Sequence, residues 1–428
     1  MLRALSRYGA RVLPNTQQLA AECARRGELI EGPDIAAFEA AFSRLHEGRT
    51  AVTASYGRMA FYYILKALEL PAGSEVVFPA LTFWVMPEMA RVLGLRPVFA
   101  DVDPTTFHMA PESLEQVITK RTRAVVPTHL YGLPCEMDAI LEIARRHGLT
   151  VVEDCAHALG AQYKGRAVGV LGDAAIFSFQ TLKPLNTYGG GMAVVREPEL
   201  GRKVAELAMA EPWPTAQQVR KRLLTGRIQR IVIRPEVFRW TLFPVLYAAS
   251  FVGARPDVYL WEQIRSLDPL PPDYRLRYSN VQARMGLEGL KRLNQWTAAS
   301  QRNAALLTEW LGRIAGMQTP VTPPDRTHVF YQYCLYVPDR DGLVRRCIRR
   351  GLDVETLHVD VCTRLPIFQR YATPAPGADR ASLAVQLPAY SDLGEEQLRW
   401  AVGVVQRALA IPSGASSSER RAGDRSGV

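Results

Sequence analysis

Between Arg49 and Val195, six short apolar, β-branched runs alternate with segments whose apolar residues recur at helical spacing. The runs are Thr50–Thr53, Glu75–Phe78, Arg96–Ala100, Ala124–Pro127, Thr150–Val152 and Ala174–Phe179. MAFYYILKALEL (Met59–Leu70) and MDAILEIARRHG (Met137–Gly148) are typical of the segments between them. A strand–helix–strand order repeated this often predicts a mostly parallel sheet with helices on both faces. In such sheets the chemistry gathers just beyond the C-terminal ends of the strands.

The remainder of the chain reads differently. QVRKRLLTGRIQRIVIRPEVFRWTLFPVLYAASFVGARP is basic first and strongly apolar after. Helical patterning returns at Ser279–Leu293 and runs on through Trp310. A mixture of short strands and helices follows, as in FYQYCLYVP and EEQLRWAVGVVQRAL, and predicts a smaller C-terminal α/β domain. The last residues, PSGASSSERRAGDRSGV, have the composition of a disordered tail. With 48% hydrophobic and 22% charged residues, the chain as a whole is an ordinary globular one. Six scattered cysteines and seven histidines form no metal-ligand spacing, so no metal is expected. The N-terminal MLRALSRYGARVLPN lacks a long apolar core, which argues against a secretory signal and for a cytoplasmic setting.

Basic residues outnumber acidic ones, 52 against 42, for a net charge of +10. Such an excess suits nucleic acid, an anionic membrane surface or anionic small molecules. No helix-turn-helix, zinc finger or aromatic-studded basic motif supports nucleic acid. Six of the cations (Arg220, Lys221, Arg222, Arg227, Arg230, Arg234) fall in the acid-free stretch Pro212–Pro235. Directly after it, Phe238–Ala254 is a run of 17 residues with one charge and an internal Pro244, too short and interrupted to span a bilayer. It reads either as a buried helix pair or as an interfacial element on anionic lipid.

Chemistry is concentrated in four places. The strand TVVED ends on Glu153-Asp154, which puts a carboxylate at the sheet's C-terminal edge. Lys183 follows the next apolar strand, in DAAIFSFQTLKP. A lysine and a carboxylate at two strand ends suit pyridoxal phosphate, whose aldehyde the amine bonds and whose ring nitrogen the carboxylate keeps protonated. The same pair is equally readable as a salt bridge. TASYGRMAFYYIL places Gly57 where a strand turns into a helix, a phosphate site or a routine cap. PALTFW places Phe83 after a strand, to stack on a planar ring or to pack in the core.

In their order along the chain these segments resemble the DegT/StrS-type aminotransferases, fold type I pyridoxal-phosphate enzymes that aminate nucleotide-linked keto sugars. The likeness runs from about Glu28 to Leu409 and is strongest over GPDIAAFEAAFSRLHEGRTAVTASYGRMA, GSEVVFPALTF, RPVFADVDPTTF, AVVPTHLYGLPCEMDAI, VVEDCAHALGA and FSFQTLKP. The resemblance implies an aspartate-aminotransferase-like fold: a three-layer α/β/α large domain with a mostly parallel sheet, and a smaller C-terminal α/β domain. It divides the chain into an N-terminal arm (1–27), the large cofactor domain (28–210), a basic and apolar insertion (211–272), an interdomain helix with the small domain (273–411) and the tail (412–428). It implies Lys183 as Schiff-base lysine and Asp154 as partner of the pyridine nitrogen. His157 falls beside the ring and Phe83 on the stacking position. Ser178, Gly57 and Arg58 fall on the phosphate, and Arg275 on a residue that reaches the neighbouring subunit's site in a homodimer.

The implied reaction moves an amino group from an amino acid, expected to be glutamate, to a ketone or aldehyde of a sugar-like or lipid-linked acceptor. The rival is a non-catalytic sensory or regulatory protein on the same fold. Dehydratases of the superfamily carry another residue in place of the lysine, and Lys183 argues against them. Several positions depart from the family pattern. Pro184 follows the lysine in place of Asn, and Tyr188-Gly189-Gly190-Gly191 replaces Gly-Glu-Gly-Gly. Tyr56-Gly57-Arg58 replaces Ser-Gly-Thr, and His358-Val359-Asp360-Val361-Cys362 replaces Tyr-x-Pro-x-His. The cofactor residues survive these changes, whereas the acceptor side is the part that has altered.

Overall fold

The computed structural model describes residues 3–9, 11, 13–252, 263–356 and 359–410. The expected tail 412–428, Gly253 and Ala254 of the apolar run, and His358 lie outside the described residues. A seven-stranded sheet forms the centre of the large domain. Its strands are β1 (Thr50–Ala54), β2 (Glu75–Pro79), β3 (Arg96–Ala100), β4 (Thr122–Val125), β5 (Thr150–Asp154), β6 (Ala174–Ser178) and β7 (Gly191–Val195). They lie in the order β1-β7-β6-β5-β4-β2-β3. β7 runs against both β1 and β6, while β6, β5, β4, β2 and β3 pair in parallel.

Side chains alternate across this sheet, and each set meets a helix. Val52, Val76, Phe78, Val152, Ile176 and Val195 share one core with Phe61, Ile64 and Leu65 of the helix Gly57–Ala67. On the opposite face, Val77, Val125 and Val151 bury against Met137, Ile140 and Ile143 of the helix Met137–His147. Phe177, Met192 and Val194 do the same against Phe38 and Phe42 of the helix Asp34–Leu45. Both faces are covered, which is why the strands read as unbroken apolar runs. The fold is the expected three-layer α/β/α domain.

The small domain is built on a three-stranded antiparallel sheet of Tyr333–Leu335, Val385–Leu387 and Glu355–Thr356. Leu343, Leu398 and Val405 from two of its helices pack on that sheet. The 19-residue helix Leu293–Leu311 joins the two domains. Its Leu293 belongs to the core of the large domain, and its Leu307 and Leu311 to that of the small one.

The basic and apolar stretch folds as three helices, Ala216–Val232, Pro235–Phe238 and Leu242–Val252. The first opens with a capping box between Thr215 and Gln218. Phe238, Phe243 and Leu246 bury against Ala4 and Ile348. On the outer side Trp240, Val245 and Phe251 remain 70%, 59% and 56% exposed. The helices are thus half-buried. Among the described residues, no helix is long and apolar enough to cross a membrane.

Glu153 shows how strand alternation divides two neighbouring carboxylates. It points away from Asp154 and is fully buried. Its carboxylate accepts the backbone N–H of Gly169, Leu171 and Gly172 at 2.9, 2.8 and 2.7 Å, and His129 Nε2 donates to it at 2.9 Å. His129 Nδ1 in turn accepts the Cys135 N–H at 3.0 Å. Cys155 also stands near, but both His129 nitrogens are committed to protein partners, so the trio is a structural tie and not a metal centre. Burial works against ionisation of Glu153, yet the His129 and amide hydrogen bonds prevail and hold its pKa below the ordinary carboxylate value. A depressed folded pKa means stability that is present above the unfolded value, roughly 4.3, and lost as pH falls through the lower folded one. Glu153→Ala is expected to cost about 3 kcal/mol or more in urea unfolding, because it strands several buried donors. An unchanged midpoint would remove Glu153 from this role.

Candidate active site

Parallel pairing sets the C-terminal ends of β5 and β6 side by side, with Asp154 opposite Ile176. The chain leaving β6 makes a turn in which the Lys183 N–H donates to Gln180 O at 2.9 Å. Around these ends opens a cavity of about 700 Å³. Seven of the eight residues expected from the sequence line it: Gly57, Arg58, Phe83, Asp154, His157, Ser178 and Lys183. The eighth, Arg275, does not. Its side chain is 57% exposed and pairs with Glu211 at 3.2 Å, although its neighbours Asp273 and Leu276 reach the cavity rim.

Burial dominates the electrostatics. It lowers the Lys183 pKa from 10.5 to about 8; the Asp154 carboxylate opposes the shift and the Arg58 cation reinforces it. Burial also raises the Asp154 pKa, against the Ala156 N–H that donates to its Oδ1 at 3.0 Å and against the Lys183 charge. The amine is therefore a base and nucleophile at a pH where a surface lysine is still an ammonium. Lys183 Nζ lies 5.1 Å from the centre of the Tyr331 ring, which packs in turn on His157 at 4.3 Å. The Tyr131 N–H donates to His157 Nδ1 at 3.3 Å, so Nε2 carries the proton of the neutral ring.

A cradle for an anion lies at the end of β1. The helix Gly57–Ala67 begins there, and Tyr56 gives it no side-chain cap. The first-turn amides and the positive end of the helix dipole suit a phosphate. Space at this point requires glycine on both sides. A Cβ on Gly57 would come within 3.0 Å of Ser178 Cβ, and one on Gly191 within 2.4 Å of the Gly57 nitrogen. Arg58 extends the cradle from a cage of the Tyr56, Phe83 and Tyr274 rings, its Cζ being 5.4, 5.7 and 4.9 Å from their centres. A buried amine, a buried carboxylate and this cradle in one cavity fit pyridoxal phosphate.

Several groups around the site went unrecognised in the sequence. Arg222, counted there only as part of a basic stretch, lines the cavity with Lys221 and donates to the Tyr56 hydroxyl at 3.1 Å. Arg11 of the N-terminal arm is buried and donates to Pro184 O at 3.3 Å, holding the turn just after the lysine. Tyr331 comes from the small domain, nearly 150 residues from Lys183 (331 − 183 = 148). Local patterns carry no signal for such contacts. The acid-free run did mark Arg222, without saying which way it faces.

The model of the DegT/DnrJ/EryC1/StrS aminotransferase family matches residues 13–225 and 248–406 of this chain. The chain belongs to that family. This DegT/StrS-type protein is accordingly an aminotransferase dependent on pyridoxal phosphate. Residues 226–247 are left unmatched by the family model. The chain is 32% identical to the GDP-perosamine synthase of Caulobacter vibrioides over 75% of this chain and 74% of that one. It is 29% identical to the pleiotropic regulatory protein of Geobacillus stearothermophilus over 93% and 95%. Among solved structures, the aminotransferase TlmJ of Streptoalloteichus hindustanus superposes with a TM-score of 0.77 at 25% identity, covering 95% of this chain and 99% of TlmJ.

The lowered lysine pKa has a direct test in the cofactor-free aminotransferase. Amine-selective labelling read by peptide mass spectrometry should give Lys183 a midpoint near pH 8, against roughly 10.4 for a lysine in a model peptide. Equal midpoints would contradict the buried, neutral amine.

Proposed function

We propose that this aminotransferase takes an amino group from glutamate and delivers it to the carbonyl of a sugar-like acceptor that carries an anionic or lipid-linked handle. The observation that carries the reading is the shared burial of Lys183 and Asp154 in one cavity beside an anion cradle. Bound there, pyridoxal phosphate supplies the electron sink for the transfer. Asp154 would hold the ring nitrogen; Lys183 would bond the aldehyde and, once freed by the amino donor, carry a proton between the substrate carbon and the cofactor's aldehyde carbon. Phe83 and His157 would flank the ring. Ser178, Arg58 and the Gly57 amide would take the phosphate.

The acceptor half of the reading rests on other residues. A relative named as a GDP-perosamine synthase supports a sugar. Lys221 and Arg222 on the cavity wall favour an acceptor with negative charge. Arg275, exposed and outside its own cavity, would serve the site of a second copy in a homodimer with shared sites. The exposed Trp240, Val245 and Phe251 support peripheral membrane contact through residues 213–254.

The regulatory reading draws on the name of the Geobacillus relative. Intact Lys183 and Asp154 weigh against it, since neither is needed by a protein without turnover. Lys183→Ala is expected to abolish turnover and the visible absorbance of bound cofactor. Asp154→Asn should lower turnover by at least about a hundredfold. In the wild type, glutamate should bleach the visible band in a single half-turnover. A band that no amino donor alters would support the regulatory reading instead.

A further inference from the structure

A second cavity, of about 410 Å³, is lined by the other side of the helix Ala216–Val232. It shares Tyr188 with the active cavity but has no part of Lys183. Arg227, Arg230 and Arg234 stand along one stripe of its wall, three and four residues apart. Ala20, Leu223, Ile231, Met285 and the Tyr188 ring make the rest largely apolar, and no Asp or Glu lines it. Arg230 Nε is closed off from solvent and has no hydrogen-bond partner among the described residues. A hidden guanidinium N–H without an acceptor is costly, and a phosphate oxygen would satisfy it in the geometry that arginine favours.

We propose that this cavity binds the phosphate of an anionic lipid, held by Arg227, Arg230 and Arg234 with the lipid's apolar stem over Leu223 and Ile231. The inference rests on, and sharpens, the membrane contact read from residues 213–254. Leu224 and Ile228 stand exposed on the same helix, Trp240 in the turn before the helix Leu242–Val252, and Val245 and Phe251 on that helix. Exposed apolar and aromatic side chains close in sequence to a cluster of arginines are the pattern of an element lying in the headgroup layer. A second copy of the chain would have to bring its own acid to this wall, since none lies between Trp213 and Pro235. All three arginines and Trp240 fall within the stretch 226–247 that the family model leaves unmatched, whereas Ala20, Tyr188, Leu223 and Met285 of the same cavity lie in matched stretches.

Flotation of the full-length, cofactor-loaded protein at low salt tests the proposal. The wild type should float with vesicles of equal parts phosphatidylglycerol and phosphatidylcholine, and not with phosphatidylcholine alone. Arg230→Gln should lower the partition coefficient about fivefold, the effect of one basic group at an anionic surface. The Arg227→Gln/Arg234→Gln double variant should lower it further. Arg399→Gln removes an exposed charge on the small domain, paired with Glu395, and should leave binding unchanged. Equal losses in Arg230→Gln and Arg399→Gln would mean diffuse charge alone and overturn the site, as would a wild type that does not float. If Arg230→Gln keeps its flotation and instead shifts sedimentation from dimer to monomer, the cavity is a subunit contact and the proposal fails. The donor-dependent spectral change of the wild type, measured without vesicles, reports on the aminotransferase reading separately and survives a negative flotation result.

Discussion

Parallel pairing of β5 with β6 is the contact on which the site depends, because it brings Asp154 and the chain leading to Lys183 to one sheet edge. Strand alternation then separates the two acids that end β5. Glu153 turns into the protein and is fully satisfied by amides and His129, while Asp154 turns into the cavity. The first arrangement stabilises a loop; the second keeps a carboxylate in a place where charge is expensive. Low dielectric is what makes the pair useful. In water the amine would be an ammonium and the carboxylate merely solvated, whereas burial brings the lysine to about 8 and strengthens any ion pair that the carboxylate makes.

Around that edge the rest of the fold supplies walls. β7 runs against its neighbours, so its first residue, Gly191, arrives beside the Gly57 nitrogen at the mouth of the phosphate cradle. The long helix Leu293–Leu311 belongs to both cores and couples the small domain, which carries Tyr331, to the lysine turn. The helix Ala216–Val232 is a partition with Lys221 and Arg222 on one side and Arg227, Arg230 and Arg234 on the other. Five of the six cations of the acid-free stretch thereby divide between two cavities.

Much of this was legible in the residues. Six of the seven central strands were readable because they are buried on both faces and so lack polar interruptions. Element ends drifted by up to three residues: the run Ala124–Pro127 is strand over Thr122–Val125, and the helix read as Met59–Leu70 spans Gly57–Ala67. β7 escaped notice because its first residue closes a glycine run, where a strand pattern is weakest. The cavity residues were legible through the family resemblance, with spacing alone leaving a salt bridge open. Arg11 and Tyr331 were not, since their places are set by packing of the N-terminal arm and the small domain over distances that no local pattern spans.

Covalent trapping tests the central claim most directly. Borohydride added to the cofactor-loaded protein fixes pyridoxal phosphate to whichever amine it has bonded. Digestion and mass spectrometry should then find the pyridoxyl mass on the peptide that contains Lys183, at one label per chain. A label on any other lysine, or none at all, would contradict the account.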